Sequence, residues 1–154
     1  MDVEIHQILM VIVTDTQQKI MSKILAFGAS SSKKSINKKF AVYVAGCIPN
    51  ADVNVLDLND YEMPIYSIDR ENEDGIPDLA YTFKEQFKNS DAVVISFAEH
   101  NASYTSAFKN IFDWISRIEK VVWYNKPMFL LSTSDGDRGA KTCLLYTSPS
   151  PRDS

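Results

Sequence analysis

A chain of 154 residues with 45% hydrophobic and 23% charged side chains has the make-up of one soluble globular domain. A formal net charge of −4 excludes the pervasive basic field of a nucleic-acid binder. Two cysteines, Cys47 and Cys143, exclude a disulfide framework and any cysteine-based metal spacing, and suit a reducing cytoplasm. The longest early apolar run, 8–13, is far short of the roughly 20 residues of a membrane span. Asp2 and Glu4 stand where an export signal needs positive charge.

The two ends read differently from the middle. Residues 1–20 are expected to be an extension ahead of Met21, which looks like a natural start directly before a core strand. Residues 143–153, CLLYTSPSPRD, resemble translated sequencing adaptor, and their alternating prolines cannot continue a helix. The expected domain is therefore 21–142, incomplete at its C-terminal side, with 143–154 as a tail.

In chain order, residues 23–27 form an apolar run that predicts a strand buried on both faces. A small-residue turn, Gly28-Ala29-Ser30-Ser31-Ser32, leads into a helix over 36–47 with Ser35 as its N-cap. Phe40, Val44 and Cys47 are its expected inner face, which makes Cys47 a core residue rather than a nucleophile. A strand feeding a helix N-terminus leaves backbone N–H groups unpaired beside the positive end of the helix dipole, which is an anion site. The hydroxyls of Ser30, Ser32 and Ser35, the amide of Asn37 and the charges of Lys33 and Lys34 add donors there.

A second strand is expected at 53–58. Asp57 near its end could face a ribose, but no Gly-x-Gly-x-x-Gly turn accompanies it, so a loop acid is the better reading. A long acidic loop, 59–77, precedes a second helix at 78–89 with Leu79, Phe83 and Phe87 inward. A third strand at 92–97 is continuous and β-branched, hence central. The loop 98–103 follows it. A third helix is expected over 104–120, with Phe108, Ile111, Phe112, Ile115 and Ile118 inward and Trp114 near the edge. A fourth strand at 127–132 runs into a glycine-bearing polar loop, 133–139. The alternation β-α-β-α-β-α-β predicts a doubly wound parallel sheet with helices on both faces, three α/β/α layers. Ligands bind such sheets beyond the strand C-termini, and three polar loops converge on that edge.

With these residues in place, 23–142 resembles the NADPH-dependent FMN reductase family of flavodoxin-like proteins, which implies a flavodoxin-like sheet in the order 2-1-3-4 with the fifth strand missing. Gly28, Ser30, Ser32, Ser35 and Asn37 are similar to that family's Gly-Ser-x-Arg-x-x-Ser-x-Asn turn, although the arginine is absent and the spacing one residue longer. Lys33 or Lys34 replaces its charge without its bidentate geometry. Glu99-His100-Asn101, followed by the 108–114 stretch FKNIFDW, is similar to the family's Pro-Glu-Tyr-Asn and Leu-Lys-Asn-Ala-Ile-Asp-Trp. Residues 134–139 look like its Ser-x-Gly-x-x-Gly turn.

The resemblance implies FMN, with its phosphate on Ser30, Ser32, Lys33, Ser35 and Asn37. It places the ring and ribityl chain near Glu99, His100, Asn101, Ser134, Gly136 and Arg138. It implies hydride transfer from NADPH or NADH through the flavin to a quinone, azo compound, metal ion or free flavin, and a homodimer or homotetramer. The cofactor would carry the chemistry, so no general acid or base is named. His100 could equally face solvent, and Lys109 and Asp113 suit intra-helix contacts better than a ligand. Two other readings stay open. One is a flavin-binding electron carrier without NAD(P)H turnover, against which the missing Thr-rich phosphate turn of flavodoxins counts. The other is an inactive fragment.

Overall fold

The computed structural model describes residues 21–133. Its centre is β1 (Ser22–Ala29), which pairs in parallel with β2 (Ala51–Val55) on one side and β3 (Ala92–His100) on the other. β5 (Met128–Thr133) lies parallel to the far side of β3, so the order β2-β1-β3-β5 is the one expected. A two-residue strand, β4 (Ser103–Tyr104), turns back antiparallel onto the end of β3.

Side chains alternate between the two sheet faces. Leu25, Phe27, Val93, Ile95 and Phe97 point to a large core closed by α3 (Asp78–Lys88) and α4 (Ser106–Ile115). There Phe83 and Phe87 meet Phe27 edge-on, at centroid distances of 5.8 and 6.0 Å, the arrangement ring quadrupoles favour. Ile24, Ala26 and Val94 point to the opposite face, covered by α1 (Ile36–Gly46) through Ala41 and Ala45. Strands covered on both faces are why 23–27 and 92–97 lack polar alternation.

The helix faces differ from the periodicity reading in one consistent way. α1 buries Asn37, Ala41 and Ala45, not the Phe40, Val44 and Cys47 stripe; Phe40 and Val44 are half-buried and Cys47 is exposed. The reason lies beneath it. A Cβ on Gly28 would stand 2.3 Å from the Lys38 backbone nitrogen, so this helix lies too close to β1 for large side chains. In α3, Leu79 is exposed and the inner face is Ala80, Phe83, Lys84 and Phe87.

Lys84 is 2% exposed. Its Nζ lies 3.4 Å from the Val121 carbonyl, 3.8 Å from Glu119 and 5.0 Å from the centroid of the Tyr124 ring. Burial pushes its pKa below the ordinary lysine value. It thereby ties α3 to the connection between α4 and β5. Trp114 is buried rather than at the edge, and its Nε1 donates to the Pro64 carbonyl at 2.7 Å.

The remaining differences are of extent. β2 ends at Val55, because Leu56 and Leu58 leave the sheet to enter the core. The acidic loop contains a 3-10 turn (Leu58–Tyr61) and the short, wholly unburied α2 (Ile68–Asp74). α4 begins later than the expected 104 because β3 runs on to His100 and reverses through β4, and it ends at Ile115, short of 120. Among the described residues no helix is long and apolar enough to cross a membrane.

Candidate functional site

The first loop joins β1 to α1. The Ser30 N–H donates to the Gly28 carbonyl at 2.8 Å, and the Ser32 N–H to Ser30 Oγ at 3.1 Å. Ser35 caps α1 as expected, its Oγ accepting from the Lys38 N–H at 3.1 Å. These bonds leave the backbone N–H groups of Ser31, Lys33, Lys34, Ile36 and Asn37 with no acceptor among the described residues. They gather at the positive end of the α1 dipole, the donor arrangement that binds phosphate. Ser30 and Ser35 are buried, while Ser32, Lys33 and Lys34 are exposed around them.

Asn37 does more than its place in the loop motif suggests. It is buried, and its Oδ1 accepts from Ser96 Oγ at 2.7 Å, Thr133 N at 3.2 Å and Thr133 Oγ1 at 3.0 Å. The backbone donor at Thr133 fixes which end of the amide is the oxygen. One side chain thus pins the start of α1 to the C-terminal ends of β3 and β5. Its carbonyl oxygen is committed internally, so only its N–H groups are left to meet a ligand.

Asp57 follows β2 and acts as the loop acid expected. It pairs with Lys38 Nζ at 2.6 Å and accepts from the Asn59 N–H at 2.9 Å. The Lys38 hydrogen bond, followed by that from Asn59, holds its carboxyl at about 2. The folded pKa is depressed, so the stabilisation is present above the ordinary value of 3.8 and is lost as pH falls from about 4 to 2. Both side chains are about a third exposed, so screening trims the contribution to about 1 kcal/mol. Urea midpoints of Asp57→Asn and the parent chain are expected to differ at pH 7 and to converge by pH 2.

The second wall is the β3–β4 hairpin. Glu99 stands opposite Tyr104 and His100 opposite Ser103. Asn101 and Ala102 form the turn with φ of 53° and 62°, the doubly left-handed geometry of a tight hairpin. Asparagine tolerates this conformation; alanine adopts it at a cost. Ala102→Gly is therefore expected to raise stability by about 0.5–1 kcal/mol, read as a higher denaturant midpoint at unchanged slope. His100 and Asn101 are exposed, whereas Oε2 of Glu99 is buried with no hydrogen-bond partner. A buried carboxylate oxygen without a donor is costly, so this atom is poised to accept from an incoming N–H or O–H group.

Thr105 joins the two walls. Its Oγ1 donates to the Ala29 carbonyl at 3.0 Å and accepts from the Phe108 N–H at 3.2 Å, capping α4 while holding the hairpin against the end of β1. Reading the helix as starting at 104 hid this cap; a threonine directly before an apolar-periodic run was the available signal. Ser96, wholly buried, was likewise absent from the expected site. Lys109 pairs with Asp113 along α4, the intra-helix contact preferred for them. Asn110 braces the 63–66 segment, accepting from the Tyr66 N–H at 2.8 Å and donating to the Met63 and Pro64 carbonyls.

The structure thus brings Ser30, Ser32, Lys33, Ser35 and Asn37 to one loop, and Glu99, His100 and Asn101 to the adjoining hairpin. Ser134, Gly136 and Arg138 lie outside the described residues, as do 1–20 and 143–154. Among the described residues no group of three or more His, Cys, Asp or Glu is placed to hold a metal ion.

The model of the NADPH-dependent FMN reductase family matches residues 22–150. A 2-hydroxy-1,4-benzoquinone reductase of a Burkholderia species is 32% identical over 119 residues, 76% of this chain and 63% of that protein. A quinone reductase of Escherichia coli K12 is 33% identical over 82 residues, 53% of this chain and 44% of that protein. The chain therefore spans about half the length of the curated relatives it matches. Among solved structures, FerB, a flavoenzyme NAD(P)H:(acceptor) oxidoreductase from Paracoccus denitrificans, superposes with a TM-score of 0.65 at 26% identity. That match covers 81% of this chain and 68% of FerB. The azoreductase AzrA, at 17% identity and a TM-score of 0.59, shares the fold. A parallel sheet in the order 2-1-3-5, a phosphate-type cradle after its first strand and a family match over 22–150 together place this chain in the NADPH-dependent FMN reductase family.

Proposed function

We propose that the protein is an FMN-dependent NAD(P)H oxidoreductase that passes hydride to a small quinone-type acceptor. The observation that carries this is the set of N–H groups without acceptors at the start of α1, at the same sheet edge as a buried carboxylate oxygen without a donor at the end of β3. FMN supplies both complements: a phosphate for the first, and the N–H and O–H donors of its ring and ribityl chain for the second. Bound there, the flavin supplies the two-electron chemistry that moves hydride from a nicotinamide to an acceptor.

The chain's own residues bind and orient. The N–H groups of the first loop, the hydroxyls of Ser30, Ser32 and Ser35, and Lys33 take the phosphate. The N–H groups of Asn37 add to them while its oxygen holds the frame. Glu99, His100 and Asn101 line the ring side, with Ser134, Gly136 and Arg138 from the next loop. The relatives' names add the acceptor class, and the same resemblance supports a cytoplasmic homodimer or homotetramer.

The test uses the purified 154-residue chain. It is expected to turn yellow on addition of FMN, with a protein-bound flavin spectrum that anaerobic NADPH bleaches. No change in the flavin spectrum on mixing would overturn the reading. Flavin that binds but resists NADPH would leave an electron carrier in its place.

A further inference from the structure

β3 outruns its neighbours. Its last rung with β1 is Phe97 beside Ala29 and its last with β5 is Ala98 beside Thr133, yet the strand continues to His100. His100 therefore stands about 7 Å beyond the sheet edge on which the first loop lies. By strand alternation it shares a face with Ser96, whose hydroxyl reaches Asn37 at the start of α1. It is exposed, and neither ring nitrogen has a hydrogen-bond partner among the described residues. The turn that holds it is strained: Asn101 and Ala102 both carry positive φ, and Ala102 has no polar side chain to compensate. Strain of this kind collects at functional sites.

His100 is the only histidine among the described residues. Imidazole is the side chain that gains and loses a proton near neutral pH. Around it, Lys33 belongs with the phosphate, Lys38 is held by Asp57, and Glu99 is poised to accept rather than to give. Reduction of a quinone needs a proton given at this edge. Hydride brings the quinone two electrons and one proton and leaves a hydroquinone monoanion, so negative charge grows on a quinone oxygen as hydride arrives. One further proton on that oxygen completes the product.

We propose that His100 is the acid of the acceptor half-reaction, giving a ring N–H proton to the quinone oxygen as hydride reaches the quinone. This rests on the oxidoreductase reading above and adds a catalytic residue to it. The imidazolium becomes imidazole and regains its proton from water, to which its exposure gives access. In sum, NADPH, quinone and one proton give NADP+ and hydroquinone. The rung with Ser103 and the tight turn after it hold the residue in place.

The experiment uses the FMN-loaded full chain, photoreduced and mixed anaerobically in a stopped-flow cell with duroquinone or with ferricyanide. Duroquinone needs the proton, whereas ferricyanide takes electrons alone. Rates are read from the return of the bound-flavin absorbance, so a loss of FMN affinity does not enter them. In His100→Asn the duroquinone rate is expected to fall about 100-fold relative to the ferricyanide rate, the low end for a positioned acid. Imidazole added to His100→Ala is expected to raise the duroquinone rate about tenfold without raising the ferricyanide rate. Calorimetry of the oxidised holoprotein with durohydroquinone, which involves no turnover, is expected to show about tenfold weaker binding in His100→Asn. A duroquinone-to-ferricyanide ratio equal to the parent's, no rescue by imidazole, or unaltered durohydroquinone affinity would overturn the acid. The two proposals fail separately. A chain whose flavin NADPH does not bleach, but whose acceptor ratio still responds to His100→Asn, retains the acid and loses the reductase. A chain bleached by NADPH with the parent's ratio in His100→Asn retains the reductase and loses the acid.

Discussion

Gly28→Ala is expected to cost about 3 kcal/mol of stability, at the upper end for an overpacked site. The added Cβ would stand 2.3 Å from the Lys38 nitrogen, 2.7 Å from its Cα and 2.9 Å from the Asn37 carbonyl carbon. All three are backbone atoms, so no side chain can swing aside. The whole of α1 must lift from β1, taking with it the N–H groups proposed to hold phosphate. A fall in the urea midpoint should therefore come with a loss of FMN affinity. Gly46→Ala is the control, since a Cβ there meets nothing within 4 Å. Inside a helix that change is expected to stabilise by about 0.5–1 kcal/mol. If Gly28→Ala proved as stable as Gly46→Ala, the close approach of helix to strand would not be the reason for a glycine at 28.

Asn37→Ala has the second large effect. It strips the acceptor from three donors at once: the hydroxyl of the wholly buried Ser96, and the N–H and hydroxyl of Thr133. Donors left without partners cost more than the hydrogen bonds contribute net, so about 3 kcal/mol is expected. Ser96→Ala removes one donor and leaves the acceptor served by two, so about 1 kcal/mol is expected. The asymmetry between the two variants, read from urea midpoints, is the test. Equal losses would mean that Oδ1 is not the hub. FMN affinity should fall further in Asn37→Ala than in Ser96→Ala, because only the former also removes the amide N–H groups beside the first loop.

Both predictions turn on features of different legibility. The Ser-rich turn, the N-cap at Ser35 and the serine, lysine and asparagine set of the first loop were visible in order along the chain, as was the Glu99-His100-Asn101 stretch. That strands such as 92–97 are central was visible too, because they are apolar without alternation and so must be covered on both faces; their order followed only from the family resemblance. The hairpin was not. Asn101 is an ordinary turn residue, but Ala102 carries no turn signal, and only the structure gives it a positive φ. The inner face of α1 departs from its apolar periodicity for a related reason. Periodicity ranks Phe40 and Val44 above Ala41 and Ala45 by hydrophobicity, whereas the closeness demanded at Gly28 ranks them by size.

The sequence by itself determined the kind of each principal element, their alternation, and the edge on which the polar loops meet. Those properties depend on residues a few positions apart, where apolar spacing and capping chemistry act directly. Only the tertiary structure decided how deeply each helix sits, that Lys84 is buried over Tyr124, and that Thr105 holds Ala29. It alone joined Asn37 to Thr133, 96 residues on. A hydrogen bond across that distance leaves no local pattern to read, because either partner would look the same beside any other.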